Sequence, residues 1–215
     1  MSRLTACSLL TVLVLAAGCA AAPAPPDGET EADAAAAAPF NELGSRDAQV
    51  LIIEFSDLQC SFCARHASQT FPELRRNYID TGKIRYAVRD LPLPKHRYAV
   101  PAAVAARCAG EQGKFWEMRQ AIYLARGRLD QEPYAQIAGE LGLDPERLEE
   151  CRRDGRHLEK VRADAALAAA EGISSTPAFV IGRIVGDEFH GETLVGAKPY
   201  AVFAAKIDSL LGEPR

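Results

Sequence analysis

The apolar positions of the chain change period along its length, and each change marks an element. Val50-Leu51-Ile52-Ile53-Glu54-Phe55 is a near-continuous apolar run of strand length, the pattern of a strand buried on both faces. After a short loop, Ser56 to Gln59, the pattern from Cys60 to about Tyr78 turns helical, with Phe62, His66, Thr70 and Leu74 at four-residue spacing. Pro72 lies inside it and predicts a kink, because proline offers no N–H to the preceding turn. Past Thr81-Gly82, Ile84 to Val88 (IRYAV) makes a second strand, and strand–helix–strand implies a parallel pair. Residues 96–171 carry no strand signal; helical segments cover about 96–110, 114–126, 131–142, 145–154 and 156–171, separated by Gly113, Gly127, Gly142 and Gly155. Ala178 to Ile181 (AFVI) resumes strand character, and Gly182 to Gly196 holds a hairpin partner. Lys198 to Leu211 closes as an amphipathic helix, apolar at Val202, Phe203, Ile207 and Leu210.

Ahead of Phe40 the patterning stops. Residues 20–39 (AAAPAPPDGETEADAAAAAP) hold no aromatic or β-branched residue except Thr30, too little to form a core, so they read as a tether. Residues 1–18 have the plan of an export signal: Arg3, the apolar stretch Leu4 to Ala17, then Ala16-Ala17-Gly18 before Cys19. Cleavage at an alanine-rich site would make this a plain signal peptide. A small-residue run closed by cysteine also resembles the bacterial lipobox, in which Cys19 is lipidated and becomes the new N-terminus; Ala16 stands where lipoproteins prefer leucine.

Composition narrows the classes. Of 215 residues 48% are hydrophobic, enough for one domain with a sizeable core behind the leader. The net charge of −4 comes from 25 basic and 29 acidic residues that are interspersed, with no basic run for nucleic acid. No apolar stretch reaches the roughly 18 residues of a membrane-spanning helix in the mature chain.

Cysteine usage adds the candidate chemistry. Export places the chain in an oxidising compartment. Of six cysteines, Cys7 leaves with the signal and Cys19 is the candidate anchor, so Cys60, Cys63, Cys108 and Cys151 remain as two pairs. Cys60-Ser61-Phe62-Cys63 sets two thiols at the start of a helix, where the positive end of the helix dipole lowers the first thiol's pKa. That arrangement suits disulfide exchange: Cys60 attacks, a mixed disulfide forms, and Cys63 resolves it. A zinc site would need two more ligands, and His66, His96, His157 and His190 are scattered; a purely structural disulfide is the other alternative. Cys108 lies on the stripe Val100, Val104, Cys108, and Cys151 follows Leu148 by three, so both face a helical core. A bridge between them reads as a structural staple worth up to about 4 kcal/mol in the chain-entropy model; buried free thiols or a second redox centre are the alternatives. Glu54 interrupts the buried strand, where a carboxylate must be paired, protonated or turned to solvent. Asp57 reads as a cap of the helix or loop, and His66 as a helix-surface residue.

These residues carry a family resemblance. Glu54-Phe55-Ser56-Asp57-Leu58-Gln59-Cys60-Ser61-Phe62-Cys63, followed by Arg65-His66, resembles the active-site segment of DsbA-like thioredoxin-fold proteins. Thr176-Pro177 resembles their cis-proline loop, and Cys108-Ala109 with Gln112-Gly113-Lys114-Phe115-Trp116-Glu117-Met118 is similar to bacterial members. The resemblance spans about residues 40–211. It implies an α/β thioredoxin fold with an inserted all-helical domain: residues 40–95 and 172–215 form the thioredoxin part, and residues 96–171 the insertion. It also implies that Glu54 lies beneath the cysteines and relays a proton for Cys63. A cis Pro177, as the resemblance implies, would leave the Thr176 backbone free to pair with an extended substrate, with Ser61 and Phe62 beside it, although the bare residues alone favour a trans bond. Ser61-Phe62 replaces the Pro-His of strongly oxidising relatives, which predicts a less oxidising couple.

The expected function is thiol–disulfide exchange on reduced or unfolded exported proteins, oxidation favoured, with an envelope reductase or dedicated electron relay as the alternative. A non-catalytic binding module is the remaining reading. No cofactor and no metal are expected, and the chain is expected to be a monomer. A membrane redox partner would recycle the dithiol, and a lipid on Cys19 would hold the chain to the cell envelope.

Overall fold

The computed structural model describes residues 39–212, so the export segment, Cys19 and the tether before Pro39 lie outside the described residues. Five strands form one mixed sheet in the order β1-β3-β2-β4-β5. The apolar run becomes β2 (Val50–Ser56), flanked by β3 (Ile84–Asp90) in parallel and β4 (Ala178–Val185) antiparallel. Being central and covered on both faces, β2 is apolar nearly throughout. The short strand β1 (Glu42–Gly44), which the sequence pattern did not signal, pairs with β3, and β5 (Glu188–Val195) forms the opposite edge. Gly182 faces Gly191 across the β4–β5 ladder, where a Cβ on Gly182 would sit 1.9 Å from the His190 carbonyl oxygen.

The segment after Cys60 is helical but not uniform. α1 (Ser61–Arg65) passes through a π turn, His66–Thr70, into α2 (Phe71–Leu74) and a second π turn, Arg75–Ile79. The Phe71 N–H reaches back five residues to the His66 carbonyl, and Pro72, with no N–H to give, sits just beyond this widened turn. The predicted kink is thus a π bulge. It also moves the buried stripe to Cys63, His66, Ala67, Thr70, Phe71 and Leu74, leaving Phe62 53% exposed. His66, on the same stripe as Thr70 and Leu74, is a core residue and not the helix-surface residue expected above.

Between β3 and β4 stand five helices: α3 (Ala99–Gly110), α4 (Phe115–Ala125), α5 (Tyr134–Glu140), α6 (Pro145–Asp154) and α7 (Arg156–Ala170), with a 3₁₀ segment, Arg126–Gln131, after α4. Alanine-rich α3 is buried along most of its length, which lets its neighbours approach closely. α6 starts on Asp144, whose carboxylate accepts from the Glu146 and Arg147 N–H groups, and stops at Gly155 in the left-handed region at φ 77°. Arg107 on α3 donates to Asp90 at 2.5 Å and also pairs with Asp164 on α7, tying the insertion to the end of β3. α8 (Tyr200–Gly212) packs Phe203 and Ile207 into the core, but Val202, expected on its apolar face, is 41% exposed. Among the described residues no helix is long and apolar enough to cross a membrane.

Candidate active site

The parallel strands β2 and β3 end together at Ser56 and Asp90, and antiparallel β4 begins opposite them at Ala178. This edge is where an α/β sheet places a site, and here the loop to α1 meets the turn before β4. Cys60 is the residue ahead of α1, with an extended backbone at φ −73° and ψ 125°, and its N–H is held by the Asp57 carbonyl at 3.0 Å. The Thr176-Pro177 peptide is cis, and the Cys60 thiol donates to the Thr176 carbonyl oxygen at 3.6 Å. The Thr176 hydroxyl is buried without a hydrogen-bond partner. Ser61 and Phe62 are exposed beside the thiols, the Phe62 ring lying 4.9 Å under the Arg65 guanidinium.

Both thiols are free, and their surroundings separate them. A hydrogen bond with Cys63 is the largest influence that lowers the Cys60 pKa, to about 5, helped by the Cys63 and Phe62 backbone and opposed by burial. Cys63 goes the other way. Burial pushes it well above the ordinary thiol range, the Cys60 sulfur adds to this, and the charge of Glu54 acts in the same direction. The site therefore holds one ready thiolate and one thiol that stays protonated.

Glu54 is fully buried behind this pair. Tyr86 on β3 donates to its Oε2 at 2.8 Å, and Arg119 on α4 donates to its Oε1 at 2.5 Å. Burial would raise the Glu54 pKa, but the charge of Arg119, with hydrogen bonds from Tyr86 and Ser56, holds it below the usual carboxylate value. Arg119 Nη2 also reaches Ser56 Oγ at 3.3 Å, and Ser56 shares a 2.7 Å hydrogen bond with Tyr123. His66 completes the shell through Tyr86, 3.1 Å from Nε2, and burial lowers its pKa to about 4, so it is neutral.

Asp57 fastens the loop. Its Oδ1 accepts from the Gln59 N–H, and its Oδ2 accepts from the Leu93 N–H and lies 2.7 Å from His96 Nδ1. The Gln59 side chain accepts from the Tyr98 N–H at 2.8 Å, so Leu93, His96 and Tyr98 are all tied to the loop that leads to Cys60. Cys108 and Cys151 lie apart from this edge, joined in a disulfide between α3 and α6 with Cα atoms 5.8 Å apart. His157 lies close to their sulfurs and is paired with Glu111 at 2.7 Å.

Cys60, Cys63, Glu54, Thr176, Pro177, Ser61 and Phe62 thus gather around one edge of the sheet. Sequence reasoning missed Arg119, Tyr86, Ser56 and His66 beneath them. Arg119 had a signal: it stands among Phe115, Met118 and Ile122 on the buried face of α4, where a cation requires an anion, as Glu54 does in β2.

Known proteins share this fold. The sequence model of the family described as Thioredoxin matches residues 40–196. Wolbachia pipientis alpha-DsbA1 superposes with a TM-score of 0.72 at 28% identity, covering 80% of this chain and 90% of that one. The chain belongs to the DsbA-like thioredoxin family. Pseudomonas aeruginosa DsbA2 is a second DsbA neighbour, with a TM-score of 0.64 at 27% identity over 81% of this chain and 95% of that one. A Rickettsia bellii protein named as a protein-disulfide oxidoreductase is 25% identical over 170 residues, 76% of this chain and 65% of its own length. The Na(+)/H(+) antiporter NhaA 3 of Salinispora tropica is 34% identical over 163 residues, 75% of this chain. This DsbA-like chain spans only 24% of that antiporter's length.

Proposed function

We propose that the protein is a thiol–disulfide oxidoreductase that oxidises reduced or unfolded exported proteins through Cys60 and Cys63. The observation that carries this reading is the divided dithiol, with Cys60 lowered to about 5 and Cys63 raised. In the oxidising direction a substrate thiolate attacks the Cys60 sulfur of the Cys60–Cys63 disulfide, and Cys63 leaves and takes up a proton. A second substrate thiolate then attacks the substrate sulfur of the mixed disulfide. The substrate leaves oxidised by two electrons, and Cys60 leaves as a thiolate. Stabilising that thiolate favours the reduced enzyme and so favours oxidation of the substrate.

Glu54 serves the proton balance of Cys63, as a buried carboxylate whose charge is felt by that thiol. Thr176, Pro177, Ser61 and Phe62 receive the substrate chain, the Thr176 backbone as a pairing edge and the exposed Phe62 ring as an apolar contact. A membrane redox partner returns the dithiol to the disulfide. Cys19 carries the lipid that holds the domain at the envelope. The disulfide in the insertion staples α3 to α6.

Refolding of a reduced substrate protein by the oxidised enzyme, run beside reduction of insulin by the reduced enzyme, tests the direction. Oxidative refolding that outpaces insulin reduction supports the oxidase. Insulin reduction without oxidative refolding supports the envelope reductase instead.

A further inference from the structure

The Glu54–Arg119 pair joins two parts of the chain that have separate origins in sequence. Glu54 is in the middle of β2, and Arg119 is contributed by the second helix of the insertion. Their side chains are 0% and 4% exposed. The guanidinium lies 5.1 Å from the Tyr123 ring and 5.8 Å from the Trp116 ring, both on its own helix, and its Nε is buried with no hydrogen-bond partner.

A buried ion pair is poor evidence of a stabilising role. Taking two charges out of water costs several kcal/mol per ion in general, and well-packed apolar replacements are often neutral or better. An unsatisfied Nε adds to that cost. The position beneath the cysteines gives the pair another use. A lone carboxylate there would oppose the Cys60 thiolate and the departure of a proton from Cys63, while a cation at the same depth cancels it.

We infer that Arg119 is a positioning residue for the dithiol: it holds Glu54 as a carboxylate and neutralises the charge beneath Cys60 and Cys63, so that the helical insertion sets the proton balance of exchange. The other groups facing Glu54 do not replace it. From β3 comes the neutral phenol of Tyr86; from the segment after Cys60 come Cys63 and the neutral His66; from its own strand comes Ser56, and from α4 comes Tyr123. From β4 the register partner is Phe179, which carries no charge. Arg119 is the one cation among these described neighbours. It rests on the reading of Cys60 and Cys63 as the exchanging pair.

The test compares Arg119→Met, Arg119→Lys and the double variant Glu54→Gln/Arg119→Met with the unaltered chain, all first shown by circular dichroism to be folded. Two readouts are taken on the reduced proteins: the ultraviolet absorbance of the thiolate against pH, and the infrared band of a protonated carboxyl group. In Arg119→Met either the thiolate midpoint rises by about one pH unit, a roughly tenfold loss of thiolate at a given pH, or a protonated carboxyl band appears that the double variant lacks. Arg119→Lys keeps the original profile, and the double variant returns the midpoint toward it. A folded Arg119→Met that matches the unaltered chain in both readouts overturns the inference. So does a midpoint shift that persists undiminished in the double variant. Absence of insulin reduction and of oxidative refolding by the unaltered chain would instead overturn the reading of the dithiol.

Discussion

Two cysteine pairs of this chain, Cys60 with Cys63 and Cys108 with Cys151, are almost equally hidden from solvent yet sit in different surroundings. Cys60 and Cys63 are 5% and 0% exposed, and Cys108 and Cys151 are 1% and 3%. Exposure alone would not separate them. The first pair straddles a helix start, with backbone N–H groups, a proline turn and a buried carboxylate around it. The second bridges two helices, with buried Leu148 and Val104 nearby in sequence and His157, paired with Glu111, beside its sulfurs. Thiolate stabilisation, and not access, is what distinguishes a pair set up to exchange from one set up to hold.

Breaking the first pair has the largest expected effect. Cys60→Ala abolishes insulin reduction and oxidative refolding, whereas the double variant Cys108→Ala/Cys151→Ala retains both. Activity surviving in Cys60→Ala, or vanishing in a folded Cys108→Ala/Cys151→Ala, would erase the distinction. The second pair answers to a different measurement. Its bridge closes a separation of 43 residues, so its removal is expected to lower unfolding free energy by up to about 4 kcal/mol in urea titrations.

A smaller effect concerns the shell of the first pair. His66 is buried and neutral, with its pKa lowered from 6.5 to about 4. The unfolded chain therefore binds a proton below pH 6.5 that the folded chain refuses until about pH 4. Its contribution is present at neutral pH and is lost as pH falls through this window, by about 3 kcal/mol in all. His66→Gln should flatten that part of the stability–pH curve, read by urea unfolding at several pH values. An unchanged slope would mean that His66 is not the group responsible.

Sequence pattern carried the frame of the fold because its elements are set by period and by breakers: the buried run of β2, the Gly-punctuated helices and the hairpin after Pro177 all lie where apolar spacing placed them. It missed β1, three residues whose pairing with β3 depends on a distant strand. It also set His66 at the surface although that residue shares the four-residue stripe with Thr70 and Leu74; the ring is buried where Tyr86 gives it a hydrogen-bond partner. The site was half legible. Cys60, Cys63, Thr176 and Pro177 announce themselves by local motif, and Glu54 by breaking an apolar run. Tyr86 does not, and Arg119 shows only as a cation on an apolar helix face; the folded insertion and the β2–β3 register are what bring them to Glu54.

The most direct test equilibrates the protein in glutathione buffers of graded potential, then quenches it, alkylates it and maps the redox state of each cysteine by mass spectrometry. The account predicts that Cys60 and Cys63 titrate together as a two-electron couple within the glutathione range while Cys108–Cys151 stays oxidised. A Cys60–Cys63 pair that ignores the buffer, or a Cys108–Cys151 pair that moves with it, would contradict the account.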